Sequence, residues 1–135
     1  MKKNIILGCL LFSSLATISQ IQLANSKWKG VFLIPHAVDV IMDFKKDSLY
    51  LTIETGQRLG TLIFSHRNDT LMITKISGTS PCPEQSTGLY RIEWLKKEEK
   101  FLLHGISDEC EGRMGTFTTN PFERIQQGEK KNNFN

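Results

Sequence analysis

The sequence predicts an all-β domain, an eight-stranded antiparallel up-and-down barrel tied by one disulfide, and three observations carry that expectation. From Lys27 onward apolar residues recur mostly at every second position in short runs, the spacing that gives a strand one inward face. Turn-forming residues break the runs, and no longer stretch holds a 3.6-residue period. A chain of short strands with no helix long enough to cover a sheet hides its apolar face by curling the sheet on itself, which also removes exposed strand edges. Apolar residues make up 39% of the 135, enough for a single modest core and too few for several domains.

Residues 1–19 have the three-part shape of a secretory signal peptide: Lys2 and Lys3, the apolar stretch Ile5 to Phe12, then small residues up to Ser19. Thr17 and Ser19 fill the small positions before a cut that leaves Gln20 first, and Ala24 and Ser26 offer a second such site. Ile6-Leu7-Gly8-Cys9 also resembles a lipobox, but it leaves only Ile5 to Leu7 as the apolar region, so a lipid anchor on Cys9 is the weaker reading. The expectation is an exported chain, periplasmic or secreted, with no transmembrane span in its mature part. Residues 20–26 read as a short N-terminal segment, 27–125 as the barrel and 126–135 as a polar, disordered tail.

The first run, Lys27 to Ile34, sets Trp28, Gly30, Phe32 and Ile34 on one face and stops at Pro35. Ala37 to Phe44 alternates Val38, Val40, Met42 and Phe44 against Asp39 and Asp43, with Ile41 the exception. Lys45-Lys46-Asp47 turns the chain into Ser48 to Thr55, where Leu49, Leu51 and Ile53 share a face, and Gly56 marks the next turn. Arg58 to Ser65 and Thr70 to Ser77 flank the turn Arg67-Asn68-Asp69; both are apolar on two sides, which leaves their inward face open. Thr87 to Leu95 sets Tyr90, Ile92 and Trp94 against Arg91 and Glu93, and Lys96 to Lys100 is a charged hairpin tip. Phe101 to Ser107, whose inward face is also open, and Arg113 to Thr119 complete the eight, with continuation of the last past Pro121 to Ile125 left open.

In a meander the connections alternate between two ends, so the loops holding Pro35-His36, Gly56-Gln57, Gly78 to Ser86 and Asp108 to Gly112 gather at one rim. Cys82 lies in one of these and Cys110 in another. Two cysteines in an exported chain read as one disulfide, contributing about 3 to 4 kcal/mol in the chain-entropy view. His36, His66 and His104 stand alone, with no Cys-x-x-Cys or His-x-x-x-His spacing, so no metal site is expected. His104, sharing a face with Leu102 and Ile106, reads as a core histidine. Asp108, Glu109 and Glu111 read as a solvated loop.

Three local patterns carry a resemblance: Trp28-Lys29-Gly30 opening the first strand, Cys82 followed by Gly88-Leu89-Tyr90, and Asp108-Glu109-Cys110 with Arg113 three residues on. Together they resemble the lipocalin or calycin group, in particular short lipocalin-like proteins exported by bacteria. The family's usual Gly two residues before the Trp is Ser26 here, and no helix is expected after the barrel. The resemblance implies that Trp28 packs under Arg124 to close the barrel floor, a cation–π pair worth about 0.5 to 2 kcal/mol. Asp47-Ser48-Leu49 and Asp69-Thr70-Leu71 resemble an O-glycosylation signal of exported bacterial proteins, while Asp before a strand is equally good turn chemistry.

The resemblance further implies a small, largely apolar ligand in the lumen, where Phe32, Val40, Met42, Leu51, Tyr90, Ile92, Trp94 and Phe101 are the inward candidates. Eight-stranded barrels are just wide enough to be filled by side chains or to hold one small ligand, so plain filling is the competing reading. His36, Arg58 and Arg113 are the polar candidates at the mouth, with a salt bridge to Asp108 the simplest role for Arg113. The alternative function is an inhibitor of a secreted protease or lysozyme, or another protein-binding barrel, acting through residues 20–26. No cofactor and no catalysis are expected, since no Ser/His/Asp order, Gly-rich phosphate loop or spaced carboxylate pair appears. Lys2 and Lys3 supply two of the 17 basic residues. The rest balance the 14 acidic ones to within one charge and show no basic cluster, which argues against nucleic acid as a partner.

Overall fold

Eight strands follow one another around a closed antiparallel barrel in sequence order: β1 (Ser26–Leu33), β2 (Ala37–Phe44), β3 (Ser48–Ile53), β4 (Arg58–Arg67), β5 (Thr70–Ser77), β6 (Thr87–Lys96), β7 (Lys100–Asp108) and β8 (Phe122–Arg124). This is a computed structural model, and it describes residues 22–126. The expected signal peptide with Cys9, and all but the first residue of the expected tail, lie outside the described residues.

Alternation does the work that the sequence suggests. On β1 Trp28, Gly30 and Phe32 are buried while Lys27 and Lys29 point outward, where they meet Asp43 and Asp39 of β2 at 3.8 and 2.9 Å. On β2, β3 and β6 the inward sets are Val40, Met42 and Phe44, then Leu49 and Leu51, then Tyr90 and Ile92. The faces that the sequence leaves open are also decided: β4 turns Gly60 and Leu62 inward, β5 Leu71, Ile73 and Lys75, and β7 Phe101 and Leu103. The leftover apolar residues Ile63, Met72 and Ile106 face solvent. His104 is not in the core: it lies on the outer face of β7, paired with Glu93.

The expected eighth strand, Arg113 to Thr119, is corrected by the structure. Glu111–Thr118 forms helix α1, and the closing strand is the three-residue β8 beyond it. Arg113 and Phe117 share both a strand parity and an i,i+4 helical face, so an eight-residue segment fits either period. The helical turn lets Arg113 and Phe117 bury together, with Met114 packed against the core and over Gly105. β8 then pairs on both sides, Trp28 opposite Arg124 on β1 and Phe101 opposite Phe122 on β7.

The end away from the disulfide is a solid aromatic floor. Phe101 packs against Trp28, Trp94 and Phe122 at ring-centroid distances of 4.7, 5.5 and 5.2 Å. The Arg124 guanidinium lies 4.8 Å from the centre of the Trp28 ring. Gly30 is required by this packing, because a Cβ there would stand 2.5 Å from the Phe122 ring. The chain entering β1 is fastened as well: Leu23 is fully buried, Trp28 Nε1 donates to Ser26 Oγ at 2.7 Å, and Ser26 Oγ donates to the Leu23 carbonyl. The described part of the N-terminal segment is therefore docked on the barrel instead of extended as an arm.

Candidate binding cup at the disulfide rim

At the opposite rim the loops between alternate strands converge as the meander requires. Cys82 and Cys110 are joined, with their Cα atoms 5.5 Å apart, which ties the β5–β6 loop to the start of α1. Beside the disulfide, Asp108 is held by a buried cluster. Its carboxylate accepts from Arg113 Nε at 2.8 Å, from Arg113 Nη2 at 2.7 Å, from the Cys110 N–H at 2.7 Å and from the Tyr90 hydroxyl. Arg113 Nη2 also donates to the Ser86 carbonyl at 3.1 Å. The cluster leaves no space at β6, where a Cβ on Gly88 would stand 2.4 Å from Asp108 Oδ2.

Burial alone would push the Asp108 carboxyl up, but the hydrogen bonds from Arg113, Tyr90 and the Cys110 N–H outweigh it and hold the group below its ordinary value. Burial likewise works against the Arg113 charge, and Asp108 more than restores it. The Tyr90 phenol is pushed well above its ordinary value, first by burial and then by the carboxylate that it donates to. The three groups thus stay Tyr–OH, carboxylate and guanidinium at neutral pH, and their contacts fix the place of α1. Arg113 Nη1 is buried and has no hydrogen-bond partner among the described residues.

Phe117 of α1 stacks on Phe32 at 5.2 Å and tilts against Tyr90 at 5.9 Å. Between this helix, the barrel wall and the loop carrying Cys82 lies a cavity of about 170 Å³ that opens at the rim. Its wall is overwhelmingly apolar, with Phe32, Leu51, Leu62 and Phe117 among the side chains that line it, and the charged side chains in it are Lys75 and Arg113. Lys75 follows Leu71 and Ile73 on the inward face of β5 and is only 4% exposed. Its ammonium donates to the Ser80 and Cys82 carbonyls at 2.7 and 2.6 Å, and among the described residues it has no carboxylate partner.

Of the inward residues expected at a lumen site, Phe32 and Leu51 reach the cavity. Val40, Met42, Ile92 and Phe101 lie deeper as core, Trp94 packs beside them half-buried, and Tyr90 belongs to the Asp108 cluster. Of the mouth residues, Arg113 forms part of the wall. His36 is exposed in the β1–β2 turn, and the exposed Arg58 guanidinium stacks 4.1 Å from the Tyr50 ring, which points away from the inward Leu49 and Leu51. Sequence reasoning missed Lys75, Leu62 and Phe117. Lys75 left one signal, a charge continuing the parity of Leu71 and Ile73. No family model, curated protein or solved structure matches this chain.

Proposed function

We propose that this chain is an exported, lipocalin-like binding protein for a small, largely apolar ligand held in the rim cavity. The cavity itself is the observation that carries the reading. At about 170 Å³ it is similar to engineered apolar cavities of roughly 150 Å³ that take up benzene, so the ligand body is about the size of one ring or a short alkyl chain. The filled floor leaves room for such a ligand at the rim and not along the whole lumen, which supports the rim reading. The Trp28–Arg124 contact supports the lipocalin-like reading, and the leader-like residues 1–19 together with the disulfide support export. Among the described residues no helix is long and apolar enough to cross a membrane.

An NMR titration of the oxidised protein with toluene tests the reading. Saturable amide shifts at Phe32, Leu51, Leu62 and Phe117 are expected, and Leu51→Trp, which fills the cavity, should abolish them while the rest of the spectrum stays folded. Absence of any saturable shift in the wild-type protein would remove the cavity as a ligand site.

A further inference from the structure

We infer that the cup selects an anionic ligand, a small monocarboxylate with an apolar body, and that Lys75 Nζ is its head-group partner. The inference deepens the binding reading above and rests on it. A lysine ammonium has three donors, and two of those on Lys75 are used by neutral carbonyls. Carbonyls satisfy hydrogen bonds but leave the charge uncompensated, and an uncompensated buried charge is costly.

The second cation of the wall is already balanced, since Arg113 is paired with the buried Asp108. Among the described residues no acidic side chain lines the cavity. The wall therefore carries an excess of one positive charge, at Lys75, next to an apolar space of ring size. A carboxylate brings one negative charge and an acceptor oxygen for the third Lys75 donor, whereas a dianionic phosphate would overcompensate, and a bare inorganic anion would leave the apolar wall empty. The Cys82 carbonyl that holds Lys75 belongs to the disulfide loop, so the cross-link also places the ammonium.

Calorimetric titration of the full oxidised chain at pH 7 with benzoate, benzyl alcohol and benzylammonium, which share one ring, isolates the head group. Benzoate should bind about tenfold or more tighter than the alcohol, in keeping with a charge-assisted bond in an apolar site, and the ammonium should bind weakest. Lys75→Met should erase the preference for the acid while the alcohol still binds; Lys75→Arg should keep it. If Lys75 merely pins the loop, Lys75→Met lowers stability and leaves the acid-to-alcohol ratio unchanged, which overturns the inference. Equal affinities in the wild type overturn it with the apolar cup intact, and binding of none of the three removes the cup reading as well. Should Lys75→Met fail to fold, the wild-type order of the three ligands decides alone.

Discussion

Asp108 shows how a single carboxylate fixes the rim. Its side chain is fully buried and Arg113 is nearly so, a placement tolerated because every lone-pair direction on the carboxylate is met by a donor. Removing the charge leaves the guanidinium buried without its counter-ion, so Asp108→Asn should cost about 3 to 5 kcal/mol at neutral pH. The sign of the pH dependence follows from the lowered value of the group. The stability that it contributes is complete above the ordinary carboxylate value near pH 4 and is lost as pH falls through the lower folded value. Urea unfolding of wild type and Asp108→Asn should accordingly differ most near pH 7 and converge toward pH 2. A gap that stays constant across that range would mean that Asp108 acts through shape and not through charge. The pairing of Asp108 with Arg113 was legible as nearby opposite charges beside a cysteine, but Tyr90 as its third partner was not, because Tyr90 also fits an ordinary inward position.

Elements were legible in proportion to how cleanly their residues alternate. β1, β2, β3 and β6 announce their inward faces through clean alternation, whereas β4 and β5 are apolar on both sides and only closure of the barrel decides which set is buried. α1 was misread for a different reason: with two threonines, two glycines and two residues in step at both periods, its eight residues carry no local preference strong enough to resist the contacts of Arg113 and Phe117. The disulfide needed only the meander, which brings the β5–β6 and β7–α1 loops to one end. It spans a sequence separation of 28, for which the chain-entropy view gives about 3 to 4 kcal/mol. Reduction, or the double variant Cys82→Ala with Cys110→Ala, should lower the urea-derived stability by about that amount. It should also raise hydrogen exchange in residues 78–86, whose Ser80 and Cys82 carbonyls hold Lys75. Unchanged stability with and without reductant would show that the Asp108 cluster alone keeps the two loops together.

For the whole molecule, the weakest-looking strand completes the barrel. β8 has three residues, too few to show any period in the sequence, yet it supplies the pairing that joins β1 to β7. Its stability comes from side chains: Phe122 is 1% exposed, stacks on Phe101 and occupies the space that Gly30 leaves. This couples the aromatic floor to closure, so loss of one ring should be felt as the opening of two edges. Phe122→Ala should cost about 3 to 5 kcal/mol by cavity formation. Because β1 and β7 would then present unpaired N–H and C=O groups, the variant should associate at concentrations where the wild type does not. Urea unfolding combined with light scattering across a concentration series checks both effects. A variant that scatters as the wild type does and keeps its unfolding midpoint would show that β1 and β7 hold together without β8. The filled floor would then be a consequence of closure instead of its cause.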